Sequence, residues 1–179
     1  MSGAAVALLL AVVETSYGSF EIELYSKDAP KTVKNFTGLA KKGFFNGLRF
    51  HRVAPGYVIQ SGDPLSRDRA QIARWGTGGA SIYGKEFADE LNPATPSGKA
   101  GYLRGVVAMA NRGPNTNTSQ FFILLSDAPG LPYAYTIFGR VTKGMEVVDT
   151  IGKVELERPG QQDGRPKEDV FITKVTIKK

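Results

Sequence analysis

The chain of 179 residues predicts a mainly β fold, a sandwich or barrel of short strands accompanied by two helices. Three observations lead there. One segment near the N-terminus alternates strictly, a long central stretch consists of short apolar or alternating runs punctuated by Gly, Pro and Asn, and two stretches carry helical spacing. Taken in order, Phe20, Ile22 and Leu24 fall on one side of the segment Phe20 to Tyr25 and Glu21 and Glu23 on the other, the period of a half-buried strand. Ser16-Tyr17-Gly18-Ser19 before it reads as a turn, so Ala11 to Thr15 completes an antiparallel hairpin. Asp28 is then the candidate N-cap of a helix that tolerates Pro30 in its first turn, where the missing N–H has no intrahelical partner anyway, and that stops at Gly43. Val33, Phe36, Thr37 and Ala40 form its apolar stripe, with Lys31, Lys34, Lys41 and Lys42 largely opposite.

Short strands are expected next over Arg49 to Val53, Tyr57 to Gln60, Gly105 to Ala110, Gln120 to Leu125 and Thr136 to Val141. A brief helix at Glu146 to Ile151 carries Val147, Val148 and Ile151 on one face, and a polar loop with Arg158-Pro159-Gly160 leads to a last strand from Asp169 to Ile177. If that strand pairs with the first hairpin, the sheet closes and loses its exposed edges. No repeat or linker divides the chain: residues 1–10 are assigned to an N-terminal extension and 11–179 to a single domain.

Composition excludes much chemistry. With no Cys there is no disulfide framework, thiolate metal site or thiol nucleophile, and with His51 as the only histidine, zinc and Ser-His-Asp chemistry are poorly supplied. The net charge of +6 comes from 23 Lys and Arg dispersed among 17 acids, a weak signal for a nucleic-acid or acidic partner that reads better as a solvated mixed surface, so no nucleic-acid partner is expected. The apolar run Ala4 to Val13 is half the ~20 residues a membrane helix needs. No basic residue precedes it and no small-x-small cleavage pattern follows before Glu14, so the expectation is a cytoplasmic protein with a slightly extended N-terminus and no membrane association.

Polar residues sit where strand patterning alone would not ask for them in two stretches, Phe50 to Asp63 and Met109 to Ile123. In the second, Phe121 and Ile123 share one face and Gln120 and Phe122 the other, so if the first pair fills the core the second is offered outward as a binding face. Both stretches resemble the two signature segments of the cyclophilin family of peptidyl-prolyl cis/trans isomerases, in the right order and at suitable separation. A third match is Tyr135-Thr136-Ile137-Phe138-Gly139-Arg140-Val141 followed by Gly144-Met145-Glu146-Val147-Val148. The likeness extends from about Ala11 to the C-terminus and is closest to prokaryotic single-domain members. It implies a closed eight-stranded antiparallel β-barrel capped by two α-helices with a peptide groove outside. It also implies a cofactor-free, metal-free isomerase of X-Pro bonds that assists folding, a monomer whose partners are proline-containing peptides and unfolded clients.

The resemblance assigns roles by position. Arg52 is the guanidinium that favours the twisted amide, a part for which a permanently charged group with several fixed donors is suited. Arg49 is the better candidate for a surface ion pair. Gln60 supports the arginine and the substrate carbonyl, and the backbone of Asn111 grips the peptide, although Asn before Gly and Pro also starts ordinary turns. Tyr57, Val58, Phe122 and Leu131 correspond to the pocket for the proline ring, or to ordinary packing; Gln120 is placed to hydrogen-bond the peptide backbone and Ala110 to leave room for it. His51 reads as a hydrogen-bonded structural residue rather than a base. Gly76-Thr77-Gly78-Gly79 lacks the third glycine and the following helix of a dinucleotide site, and reads as a glycine loop. Asn35 and Asn117 satisfy a glycosylation pattern but lie in a helix stripe and in the groove loop.

Two features depart from the family. Its groove tryptophan and histidine align with Gly130 and Tyr135, which implies weak cyclosporin binding, while Tyr135 keeps a flat wall with a polar tip. The segment Pro64 to Trp75 is longer than usual and carries Arg67, Arg69, Arg74 and the only tryptophan; it reads as a loop anchored by Trp75 on the barrel, with an extension of the groove or a site for a second partner as the other reading. A non-catalytic proline-peptide or chaperone module of the same fold is the alternative to an enzyme.

Overall fold

A computed structural model describes residues 7–179; residues 1–6, most of the expected N-terminal extension, lie outside the described residues. The first hairpin forms as its alternation predicts, from β1 (Leu10–Thr15) and β2 (Gly18–Leu24), with Phe20, Ile22 and Leu24 buried. Six further strands follow: β3 (Arg52–Ala54), β4 (Val58–Ser61), β5 (Val106–Met109), β6 (Phe121–Leu124), β7 (Ile137–Lys143) and β8 (Ile172–Lys178). They make one antiparallel sheet in the order β3-β4-β6-β5-β7-β2-β1-β8, with the last strand on the first hairpin as expected. The end strands β3 and β8 do not pair as strands. The segment before β3 is instead linked to the start of β8 and the residues before it, through Gly47 N–H to Ile172 C=O (2.7 Å), Phe50 N–H to Val170 C=O (2.8 Å) and Ile172 N–H to Leu48 C=O (2.8 Å).

The sheet divides its side chains between two apolar layers. Val53, Ile59, Val107, Phe121 and Ile123 face the main core together with Phe20, Ile22, Phe45 and Phe138, while Ala54, Val58, Ala108, Phe122 and Leu124 face a smaller cluster. That second cluster is closed over by Tyr102, Leu131, Tyr133 and Tyr135, so Phe122 and Gln120 point away from the main core as predicted yet are only 6% and 8% exposed.

Helix α1 (Pro30–Lys41) lies on β8 and sends Val33, Phe36, Leu39 and Ala40 into the core, where the Phe36 ring sits 4.9 Å from Phe45 and 5.8 Å from Phe121. Thr37 of the predicted stripe stays at the margin, and Asn35 is buried instead, donating to Thr118 C=O (2.8 Å) and accepting from Ile82 N–H (2.9 Å). The expected Asp28 cap is not made. Ala29 occupies the N-cap without a side-chain bond, Asp28 accepts from Ser97 N–H, and the free donors of Lys31 and Thr32 go to the Glu90 carboxylate at 2.9 and 3.0 Å. A carboxylate there also opposes the positive end of the helix. Gly43, at φ +71°, ends the helix as predicted. A short helix absent from the sequence reading, α2 (Pro96–Ala100), precedes β5, and α3 (Met145–Ile151) buries Val148 and Ile151 against the end of the main core.

The long segment after Asp63 folds into two 3₁₀ turns, Pro64–Arg67 and Arg69–Arg74. The Trp75 indole N–H donates to Asp68 C=O (3.0 Å) and its ring carries the Arg49 guanidinium 5.2 Å from the centroid, so Trp75 does anchor the segment. Its arginines turn away from the sheet's outer layer: Arg67 donates to the carbonyls of Phe44 and Asn46, and Arg69 to Asp169 (2.7 Å). Both ends of the segment are held by the fully buried Asp63 carboxylate, which accepts from the N–H groups of Leu65 (2.8 Å), Gly76 (2.5 Å) and Gly78 (3.3 Å). A Cβ on Gly78 would stand 2.3 Å from Asp63 Oδ1, so the approach needs glycine. Asp63→Ala strands these donors at about 1–3 kcal/mol each. The expected result is a loss of roughly 3 kcal/mol or more in urea denaturation, with new proteolytic cleavage between residues 64 and 75.

Candidate functional site

The antiparallel register lines up one row of side chains across four strands. Arg52 in β3 pairs with Gln60 in β4, Gln60 with Phe122 in β6, and Phe122 with Ala108 in β5, all on the outer face. The neighbouring row, Val53, Ile59, Ile123 and Val107, points into the main core and fixes the alternation. Around the outer row lies a cavity of about 230 Å³ lined by Arg52, Tyr57, Val58, Gln60, Ala110, Asn111, Phe122, Leu131 and Tyr135. Nine of the ten residues that the sequence nominated thus meet in one hollow. The tenth, Gln120, lines an adjoining cavity of about 520 Å³.

A chain of hydrogen bonds runs through the polar side of the hollow. Arg52 Nη1 donates to Gln60 Oε1 (3.0 Å), Gln60 Nε2 to Gln120 Oε1 (3.0 Å), and Gln120 Nε2 to the carbonyls of Gly76 (2.9 Å) and Gly78 (2.7 Å). This corrects the role expected of Gln120. Both of its amide hydrogens are committed to the glycine loop, so it orients Gln60 rather than offering donors to a peptide. The same bonds give the Gly76–Gly79 segment a function unrelated to phosphate: its carbonyls terminate the chain.

Asn111 is arranged the other way round. Its side chain is used internally, Nδ2 donating to Ala134 C=O (2.9 Å) and Oδ1 accepting from Gly113 N–H (3.1 Å), the turn geometry that Asn before Gly suggested. Its main-chain N–H and C=O have no partner among the described residues. A fixed residue with free main-chain groups on the rim of a groove is equipped to hold an extended peptide.

The apolar side is built by aromatic contacts. Phe122 meets Tyr135 edge to face at 5.6 Å and 82°. Tyr135 is pinned from behind by Tyr102, whose hydroxyl donates to Tyr135 C=O (2.7 Å) and accepts from Tyr135 N–H (3.0 Å). Burial pushes the Tyr102 hydroxyl up to about 12, so it remains a neutral donor at any working pH. A Cβ built on Gly130 meets nothing within 4 Å, which leaves that corner of the rim open.

Two residues that the sequence reading did not nominate matter here. Tyr102 is one, an isolated tyrosine after a glycine with no pattern around it. Asp163 is the other: its carboxylate takes Arg52 Nε at 3.0 Å and Nη2 at 2.7 Å in a two-pronged pair. The Asp163 hydrogen bonds outweigh partial burial and hold the Arg52 guanidinium above its already high pKa. Arg49, as expected, serves an ion pair, at 2.9 Å from Asp169.

His51 is 6% exposed, but the expected hydrogen bonds are missing: neither ring nitrogen has a partner. The Gln120 amide is spent on the glycine carbonyls, and the Arg49 carbonyl on Ser61 Oγ (2.9 Å). Burial lowers the His51 pKa to about 4, against the pull of the Asp63 carboxylate. The unfolded imidazole therefore takes up a proton near pH 6.5 that the folded one refuses until about pH 4. Stability is full above that window and falls as pH drops through it, by about 2 kcal/mol between pH 7 and pH 5. Urea titrations at the two pH values should show this difference in the wild type, and His51→Asn should lack it.

Residues 10–177 match the family model described as cyclophilin type peptidyl-prolyl cis-trans isomerase/CLD. A human protein named peptidyl-prolyl cis-trans isomerase-like 1 is 48% identical over 162 residues, covering 90% of this chain and 88% of that one. Its namesake from Aspergillus fumigatus is 43% identical over 166 residues, with 93% of each chain covered. A cyclophilin type isomerase from Cryptosporidium parvum, crystallised in the presence of the dipeptide Ala-Pro, superimposes with a TM-score of 0.81 at 33% identity, covering 95% of this chain and 99% of that one. These relatives are eukaryotic and lend nothing to the expected prokaryotic affinity.

Proposed function

The chain belongs to the cyclophilin-type peptidyl-prolyl cis-trans isomerases, which bind proline-containing peptides and catalyse rotation about the X-Pro bond, and on that footing we propose that Arg52 is the group that turns the amide. The observation that carries this reading is the wiring of the guanidinium. Of its five N–H donors, three are held by Asp163 and Gln60, and two remain for substrate. The barrier to be lowered, ~18–20 kcal/mol, comes from C–N double-bond character. As the amide twists, the proline nitrogen turns pyramidal and becomes an acceptor, so a donor held ready for that geometry stabilises the transition state more than the planar ground state.

The other residues follow from this. Phe122, Leu131, Tyr135, Tyr57 and Val58 form a water-excluding wall against which the proline ring stays fixed, and the free main-chain groups of Asn111 hold the peptide beside it. With ring and peptide both held, the rotation is confined to one bond. Gln60 steadies Arg52 and has one amide hydrogen to spare for the carbonyl that swings. Asp163 is a positioning residue, since it fixes the guanidinium plane without lining the apolar cavity. We further read the sheet as a closed barrel, with the bonds between residues 47–50 and 170–172 as its seam; closure supports the rigidity that the groove needs.

Arg52→Ala is expected to lower kcat/KM for an Ala-Pro-Phe peptide by about 100- to 1,000-fold, the usual effect of deleting a transition-state donor. Arg52→Lys also loses activity, because a point charge does not reproduce the fork. Equal cis/trans relaxation rates with wild type and Arg52→Ala contradict the mechanism. Asp163→Ala lowers kcat about tenfold with KM little changed, and Asp163→Asn recovers part of the loss, as befits a group that orients rather than binds.

The rim supports a second expectation. Gly130 leaves open the corner where the family's tryptophan would stand, and the only tryptophan, Trp75, lies outside the 230 Å³ cavity. Calorimetry is expected to give a cyclosporin dissociation constant in the micromolar range or weaker, tightened by Gly130→Trp; nanomolar binding by the wild type contradicts this.

A further inference from the structure

A second hollow, of about 400 Å³, adjoins the proline cavity through two shared residues, Arg52 and Gln60. Its remaining walls are Trp75 and Gly76 on one side and the loop from Glu157 to Arg165 on the other. Three guanidiniums border it, and their charges are not equally compensated. Arg52 is paired with Asp163 at 2.7 Å and Arg165 with Glu157 at 2.8 Å, whereas the Arg158 guanidinium has no partner among the described residues; its main chain alone is engaged, its N–H donating to Gln161 Oε1 and its C=O accepting from Gln161 N–H. His51 forms part of the same lining, more than nine-tenths buried and with both ring nitrogens unpartnered; its Nε2 would be 3.6 Å from a Cβ on Gly76. An unpaired cation and a buried polar ring with an unused N–H are both complementary to an anion, and with Arg52 and Arg165 neutralised by their own carboxylates the uncompensated charge bordering the hollow is that of Arg158.

We propose that this hollow is a subsite for a carboxylate side chain of the client peptide, at a residue flanking the proline, with Arg158 as its charge partner. The proposal rests on the reading of the 230 Å³ cavity as the proline site, since the shared wall of Arg52 and Gln60 is what puts the two within reach of one peptide. It assigns to Arg158 and Trp75 a part that the alternative reading of the long segment, a groove extension, gave to Arg67, Arg69 and Arg74, which point elsewhere. Trp75, as the only tryptophan, reports on the hollow directly.

The test uses Ala-Pro peptides carrying a single Glu, Gln or Lys at each of three positions on either side of the dipeptide, with turnover and Trp75 emission measured on the wild type, Arg158→Ala and Arg158→Glu. At one position Glu is expected to exceed Gln in kcat/KM by about fivefold at low salt and to shift the Trp75 emission. The ratio falls to about one in Arg158→Ala and in about 0.5 M salt, and Arg158→Glu prefers Lys at that position instead. No preference for Glu at any position, or one that survives Arg158→Ala, overturns the proposal. A wild type that turns over none of the Gln peptides contradicts the underlying reading of the proline site instead.

Discussion

The placement of Arg52, Gln60 and Phe122 side by side depends on the pairing register of β3, β4 and β6. Side chains alternate across a sheet, so a slip by one residue would exchange this row for Val53, Ile59 and Ile123 and put a guanidinium into the main core. Burying an unpaired charge costs far more than a short strand pair contributes, and three fully buried aliphatics would be lost to water at the same time. The apolar row therefore specifies the polar one. Core and active face are two sides of a single choice of register, which is why the site needs no flexible loop to assemble its central residues.

What the register leaves undetermined is the direction of the long polar side chains, and here the loops take over. Gln60 is contacted from both sides, by Arg52 and by Gln120, and it borders all three hollows on this face. The chain of amides ends on the carbonyls of Gly76 and Gly78, whose own N–H groups are gripped by the buried Asp63 carboxylate. Asp63 in turn needs glycine at position 78 to be reached at all. The glycine loop thus serves as the fixed end of an orienting network, and Asp163 supplies the opposite anchor. A half-buried arginine held at both ends loses little entropy on meeting substrate, and that is the physical case for its preorganisation.

Periodicity and resemblance carried different parts of this picture. The first hairpin and the helices α1 and α3 stand out because their apolar spacing repeats over enough residues to be recognised, and the shorter strands overlap short apolar runs between turn residues, β3 only at Arg52 and Val53; α2, five residues beginning at Pro96 in a polar stretch, has no repeat to show. Eight-strandedness and the residue roles came from the likeness of Phe50 to Asp63 and Met109 to Ile123 to a known family, not from spacing. The misses share one cause: partners far apart along the chain. Glu90 takes the helix donors that Asp28 was expected to cap, 58 and 59 positions away, and Asp163 reaches Arg52 over 111. His51 was read as hydrogen-bonded because buried histidines usually are, and no pattern in one sequence tells that its neighbours' groups are already taken. The same likeness nominated residues that meet in one hollow, because register, once set, transmits position from a motif to its neighbours across the sheet.

The central claim is that a proline amide lies across the row of Arg52, Gln60 and Phe122. A crystal structure with a bound Ala-Pro dipeptide tests it most directly. The account predicts the proline ring against Phe122, Leu131 and Tyr135, with a guanidinium N–H of Arg52 in hydrogen-bond reach of the amide while Asp163 keeps its two-pronged hold. A dipeptide seated elsewhere, or an Arg52 swung out of reach of the amide, would contradict it.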